Sequence, residues 1–198
     1  MDLLEQRVTR RKALAAAGAA CCGAWPRAAD AHDQIGVVSP AQPVPAIEVK
    51  TLQGNVAHLD ELLRGRVSAV QLMFTGCSAT CPISGALFAD LQRRLAAAPS
   101  NLRLLSISID PLGDDPATVR GWLRSHGAKA DRWTGALSTA KDVDRLLDFA
   151  DGRRGGVDRH TAQVLVFDAQ ARLCYRTEPL PPPASVAALM VRVATMPA

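Results

Sequence analysis

Two cysteines separated by three residues are the strongest chemical signal in this sequence. Cys77 and Cys81 lie where an apolar run of strand length ends and a segment with helical spacing begins. Free N–H groups and the positive end of the helix dipole favour a thiolate over a thiol at such a position. Two thiolates that converge there can form a disulfide or hold a soft metal ion. A purely structural disulfide is the less favoured alternative, because the pair lies in one loop and does not join distant segments.

A histidine much further along the chain is a candidate third ligand. His160 precedes an apolar run at 164–167, so its loop can fall at the same sheet edge as the cysteine loop. Two thiolates and one imidazole suit Cu(I), and also Cu(II) with one further oxygen or nitrogen. Zinc would accept the same set with a fourth ligand, so the ligand types alone leave the metal open. The simpler alternative for His160 is a solvated loop residue.

An aspartate at the end of a second buried run is a candidate supporting residue. Asp110 follows the apolar segment 102–109 and precedes Pro111. A carboxylate at this position either caps a turn, which is its commoner role, or hydrogen-bonds to the groups that hold a metal.

The rest of the chain predicts an α/β domain that would bring these loops together. Apolar runs and two-residue alternation predict strands, and three-to-four-residue spacing predicts helices. We expect a central mixed sheet flanked by helices, with an N-terminal β-hairpin extension. The predicted strands are 47–50, 55–58, 67–74, 102–109, 133–134, 164–167 and 173–176, and the helices are 59–63, 82–98, 115–126, 139–149 and 184–194. Chemistry in such sheets lies in loops at the carboxyl ends of strands.

The first 46 residues differ in character from the domain. Residues 1–31 carry Arg10-Arg11, a short apolar stretch at 13–24 and a small-x-small site at 29–31, which together predict an export signal, either of the twin-arginine type or for general secretion. About twelve apolar residues are too few for a membrane span, which needs about twenty. A lipid anchor at Cys21 or Cys22 is the less favoured alternative. Residues 32–46 are Pro-rich and predict a linker, so the domain would occupy 47–198 in the periplasm or on the outer face of the cytoplasmic membrane.

Composition argues against a nucleic-acid-binding function. The chain has 198 residues, a net charge of +4 and 48% hydrophobic residues, and part of the positive charge lies in the predicted signal. The remaining charge is too small to predict a nucleic-acid partner. We expect a monomer.

Signal removal would leave Cys77, Cys81 and Cys174. Cys174 alternates with apolar neighbours on a predicted strand, which favours a packed side chain over a reactive thiol.

Three segments in this order resemble the Sco/SenC family of copper-binding, thioredoxin-like proteins. They are Phe-Thr-x-Cys-x-x-x-Cys-Pro at 74–82, Ser-Ile-Ser-Ile-Asp-Pro at 106–111 with Asp-Pro at 115–116, and Asp-Arg-His-Thr at 158–161 leading into 164–168. The resemblance covers roughly 47–195. It implies a thioredoxin-like fold and one copper ion per chain, bound by Cys77, Cys81 and His160, with Asp110 in a supporting role.

The resemblance also implies a function and a partner. Family members help to build the CuA centre of cytochrome c oxidase subunit II, by delivering copper or by reducing the cysteines of the acceptor. We therefore expect a copper chaperone rather than an enzyme, acting on that subunit or on another periplasmic copper or thiol protein. The alternatives are a thiol–disulfide oxidoreductase that uses Cys77 and Cys81 as its redox pair without His160, and a copper or redox sensor. A thiol peroxidase fits less well.

Overall fold

The computed structural model describes residues 35–150 and 161–196, which form one eight-stranded mixed sheet with helices on both faces. The strand order is β1-β8-β7-β4-β5-β6-β2-β3. The strands are β1 Gly36–Pro43, β2 Glu48–Thr51, β3 Val56–His58, β4 Val67–Met73, β5 Leu102–Ser108, β6 Trp133–Ser138, β7 Gln163–Phe167 and β8 Arg172–Pro179. The helices are α1 Leu59–Leu63, α2 Thr80–Arg94, α3 Pro116–Ser125, α4 Val143–Phe149 and α5 Pro183–Thr195.

The centre of the sheet is built from parallel strands that are buried on both faces. Every residue of β4 is buried, as expected for a continuous apolar run covered by helices on both sides. Strand β4 pairs in parallel with β5, and β5 with β6, whereas β7 runs antiparallel to β4. The carboxyl ends of β4 and β5 and the amino end of β7 therefore share one edge, which we call the upper edge. The lower edge holds the amino ends of β4, β5 and β6.

Two hydrophobic cores fix the helices to the two faces of the sheet. One core joins α1 and α4 to the sheet, and the other joins α2, α3 and α5 to its opposite face. Phe88 and Leu91 of α2 are fully buried, and the Phe88 ring lies 5.7 Å from that of Trp133 on β6. Because α2 carries Cys81 in its first turn, this packing fixes the position of Cys81 relative to the sheet.

Most predicted elements are confirmed. The N-terminal hairpin forms from β2 and β3 and joins the main sheet through antiparallel pairing of β2 with β6. The predicted hairpin near the carboxyl terminus corresponds to β7 and β8. Helix α3 begins as its sequence predicts, with Pro116 in the first turn and the Asp115 carboxylate accepting hydrogen bonds from the N–H groups of Ala117 and Thr118.

Residues 36–43 differ from the prediction, because they form strand β1 within the segment expected to be a linker. Strand β1 pairs antiparallel with β8 at the edge of the sheet, with an irregular register between Val37 and Gln42. Pro40 and Pro43 are compatible with this strand because proline is tolerated at sheet edges and irregularities. The predicted signal at 1–31 lies outside the described residues and stays a prediction. Within 35–150 and 161–196, no helix has the length and apolar character of a membrane span.

We predict opposite effects on the unfolding free energy when glycine is replaced by alanine at two positions in helices. A Cβ on buried Gly85 of α2 would collide with the ring of His126. The centroid of that ring lies 4.2 Å from the centroid of the Trp122 ring, and His126 Nδ1 donates a hydrogen bond to the Trp122 carbonyl at 2.8 Å. We expect Gly85→Ala to lower the unfolding free energy by about 1–3 kcal/mol through overpacking. Gly121→Ala in α3 meets no atom closer than 4.0 Å and should raise it by about 0.5–1 kcal/mol.

Urea unfolding followed by circular dichroism measures both changes. Equal effects of the two substitutions would contradict the described packing of α2 against the end of α3.

Candidate metal centre

The cysteine loop leaves β4 at the upper edge and turns directly into α2. The Cys77 N–H donates to the carbonyl of Phe74 at 3.3 Å, which closes a tight turn after the strand. Cys77 is half-buried in the loop, whereas Cys81 is 2% exposed in the first turn of the helix. Neither forms a disulfide. The structure thus places the two cysteines between β4 and α2, where the sequence predicts them, and Cys77 is the more exposed of the two.

The sulfur of Cys77 takes the place of a side-chain cap for α2. Ala79 occupies the N-cap position and its methyl group offers no acceptor for the free N–H groups of the first turn. The N–H of Cys81 donates to Cys77 Sγ at 3.4 Å, and Thr80 Oγ1 lies 3.9 Å from the same sulfur. Cys77 Sγ therefore lies at the positive end of the helix dipole, where negative charge is stabilised.

The start of α2 gives the thiols of Cys77 and Cys81 different pKa values. Partial burial of Cys77 opposes ionisation, but hydrogen bonds to its sulfur from Cys81 and from the N–H groups of Ala79 and Thr80 hold its pKa below the ordinary 9.0. Burial, and then the hydrogen bond and charge of Cys77, raise the pKa of Cys81 to about 12. Cys77 is therefore the thiolate that forms first, and Cys81 retains its proton.

Asp114 holds the cysteine loop to the neighbouring strand. Its carboxylate accepts a hydrogen bond from the Thr75 N–H at 3.0 Å, another from the Thr75 hydroxyl, and a third from Ser108 Oγ at 2.5 Å. Thr75 follows β4, and Ser108 ends β5. The nearly buried carboxylate (9% exposed) thus links the two loops that leave adjacent parallel strands, and it fixes the chain two residues before Cys77.

Sequence reasoning did not identify Asp114 and named Asp110 instead. Asp110 Oδ1 accepts a hydrogen bond from the Gly113 N–H at 2.9 Å, which is the contact of a turn cap. A Cβ on Gly113 would collide with the same carboxylate, so a larger residue there would displace the Asp110 side chain from this turn. The available signal for Asp114 was the acidic pair at 114–115, of which only Asp115 is explained by the helix cap. A supporting role for Asp110 toward a metal stays a prediction.

His160 lies in 151–160, outside the described residues, and stays a predicted ligand. The described residues that flank this segment are buried, Ala150 at 0% and Thr161 at 1% exposure. Thr161 leads into β7, whose amino end lies beside the carboxyl end of β4 at the upper edge. In the part of the chain that the structure describes, no three or more His, Cys, Asp or Glu side chains form a metal-binding group.

Cys174 is separate from this site. It is half-buried on β8, and its thiol donates to the Val166 carbonyl at 3.2 Å. Burial, reinforced by the charge of Asp168, raises its pKa to about 11. These contacts agree with the predicted packed side chain.

Alkylation by iodoacetamide should distinguish the three described thiols. We expect Cys77 to react first at pH 7, and its rate to reach half of its maximum below pH 9, because a lowered pKa enlarges the thiolate fraction at neutral pH. Cys81 and Cys174 should react much more slowly. Mass spectrometry of tryptic peptides measures each rate, with Cys77→Ser as the control, and faster modification of Cys81 than of Cys77 would contradict the assignment.

Removing the Asp114 carboxylate should loosen the cysteine loop. Asp114→Ala leaves the Thr75 and Ser108 donors without their acceptor, and we expect the unfolding free energy to fall by about 2–3 kcal/mol. Asp131→Ala, which removes an exposed carboxylate, is the matched control and should have little effect. Chemical unfolding measures both, and equal stabilities would show that the Asp114 contacts do not hold the loop.

Comparison with known proteins agrees with this architecture. The family model SCO1/SenC matches residues 51–195. A SCO1 protein homolog from Bacillus subtilis (strain 168) is 33% identical over 73 residues, a match that spans 37% of this chain and only 38% of that relative.

Two solved structures share the fold at low sequence identity. Yeast Sco1 with copper bound superimposes with a TM-score of 0.66 at 18% identity, covering 81% of this chain and 97% of the other. BsSco, a member of the Sco family of cytochrome c oxidase assembly proteins, gives a TM-score of 0.65 at 19% identity, covering 80% and 96%. The predicted thioredoxin-like fold is therefore confirmed. Because the family match extends from residue 51 to residue 195, the chain belongs to the SCO1/SenC family.

Proposed function

We propose that this protein binds one copper ion per chain through Cys77, Cys81 and His160 and passes it to an acceptor protein. The observation that carries the proposal is the cysteine pair at the start of α2, with one thiol activated by the helix terminus and the other buried beneath it. Soft thiolate ligands select Cu(I) among the available metals. The copper-bound structure of yeast Sco1, which has the same fold, supports the choice of metal.

The two cysteines would contribute in different ways. Cys77 is ready to bind as a thiolate, whereas Cys81 must release its proton, because a thiolate and not a thiol is the ligand. Copper uptake should therefore release protons. A neutral imidazole of His160 would complete a three-ligand set. The exposed half of the site, around Cys77, is the side from which copper would enter and leave.

The acceptor that we propose is the CuA site of cytochrome c oxidase subunit II. Membership in the SCO1/SenC family and the similarity to BsSco, a member of the Sco family of cytochrome c oxidase assembly proteins, support an oxidase partner. The predicted signal at 1–31 would place the protein outside the cytoplasmic membrane, on the side where an exported domain meets such a subunit.

Thiol–disulfide exchange is a second candidate function, favoured by the lowered pKa of Cys77. The Cys77 thiolate would attack an acceptor disulfide, form a mixed disulfide and release one acceptor thiolate. Cys81, after losing its proton, would then attack Cys77 Sγ and release the second acceptor thiolate. The acceptor is reduced to two thiols, and this protein is oxidised to a Cys77–Cys81 disulfide. The disulfide cannot bind copper as a thiolate pair, so the two activities would exclude each other in one molecule.

Cu(I) titration against a chromogenic competitor tests the copper proposal. We expect the reduced full-length chain, carrying Cys21→Ser and Cys22→Ser to remove thiols of the predicted signal, to bind one equivalent. Cys77→Ala, Cys81→Ala and His160→Ala should each weaken binding at least about tenfold, because each removes one ligand.

The chain offers a matched control for each ligand type. Cys174→Ala removes the remaining described thiol, and His58→Ala removes an exposed imidazole on β3. Neither should change the affinity. Binding that survives His160→Ala unchanged would overturn the three-ligand site, and the Cys77–Cys81 reduction potential would then test the exchange function.

A further inference from the structure

A cavity at the lower edge of the sheet, remote from the cysteines, is lined by positive charge. It measures about 190 Å³ and opens between α1 and the first residues of β4, β5 and β6. Arg66, Arg103 and Arg132 line it together with the hydroxyl-bearing residues Ser68 and Thr134. Because β4 has seven residues, the cavity lies about 20 Å from the upper edge.

The three arginines lack acidic partners in the described part of the chain. Arg66 donates through Nη1 to the Leu62 carbonyl, and Arg132 donates to the carbonyls of Ala98, Pro99 and Leu102. These carbonyls fix the side chains but carry no net charge. No lining residue has a carboxylate, and Asp131, next in the chain to Arg132, is exposed and does not line the cavity.

Arg103 provides a second observation at this cavity. Its Nε is buried and has no hydrogen-bond partner among the described residues. A buried donor without an acceptor is unfavourable, and native structures satisfy almost all such groups. Guanidinium groups bind planar or tetrahedral oxyanions through two parallel N–H donors, which is the contact that an orphaned Nε can help to form.

We propose that this cavity binds a small oxyanion, a phosphate or a carboxylate. Three arginines that line the same cavity supply the charge, and the buried Arg103 Nε supplies a donor that has no acceptor among the described residues. The cavity is smaller than the roughly 300–1,000 Å³ typical of pockets for drug-sized ligands, so it suits a small anion and not a nucleotide. The site is independent of the proposed copper function, because it shares no residue with the upper edge.

Amide chemical shifts of the ¹⁵N-labelled, reduced full-length chain test the proposal. Sodium phosphate and sodium acetate are titrated separately against sodium chloride at matched ionic strength. We expect saturable shifts at Ser68, Arg103 and Thr134 with at least one of the two oxyanions and not with chloride. A stronger response to phosphate than to acetate identifies a phosphate group as the ligand, and the reverse identifies a carboxylate. Shifts that match those with chloride would overturn the proposal.

Variants show whether the arginines form the site. Arg103→Gln and Arg66→Gln should each weaken binding about tenfold by removing a charge-assisted hydrogen bond. Arg66 is exposed, so its variant remains informative even if Arg103→Gln fails to fold. Arg124→Gln removes an equal charge from the exposed surface of α3 and should leave binding unchanged. Equal affinities of Arg66→Gln and Arg124→Gln would contradict the site.

Discussion

The amino terminus of α2 needs a hydrogen-bond acceptor, and the sulfur of Cys77 supplies it. Because the Ala79 side chain at the N-cap cannot accept a hydrogen bond, the Cys81 N–H donates one to Cys77 Sγ. One contact thereby caps the helix, brings the two cysteines together and stabilises negative charge on the more exposed sulfur. Helix formation and thiol activation are thus consequences of the same local geometry.

The surrounding fold keeps this geometry in place. Parallel pairing of β4 with β5 sends both following loops to the upper edge, and the Asp114 carboxylate joins these loops through Thr75 and Ser108. On the other side, Phe88 and Leu91 fix α2 to the hydrophobic core. The cysteine loop is therefore held at both ends, which is the preorganisation that the proposed copper site requires.

Sequence patterns predicted the features that depend on residues close to one another along the chain. Continuous apolar runs predicted β4 and β5, and the Asp115-Pro116 pair predicted the start of α3. Three-to-four-residue apolar spacing predicted α2, with a start two residues later than the observed one. Strand β1 was not predicted because its prolines interrupt the alternation of apolar and polar residues that indicates a strand. Its pairing also depends on β8, which is distant in the sequence. Asp114 and the three arginines of the lower cavity were missed because their roles arise only when distant segments meet.

The proposed ligand set is tested most directly by X-ray absorption spectroscopy at the copper edge. The sample is the reduced full-length chain with Cys21→Ser and Cys22→Ser, loaded with one equivalent of Cu(I). Two sulfur ligands and one imidazole nitrogen are expected, and the nitrogen should disappear in His160→Ala while both sulfurs remain. A spectrum with sulfur ligands alone, or one that His160→Ala leaves unchanged, would contradict the assignment of Cys77, Cys81 and His160 as the copper site.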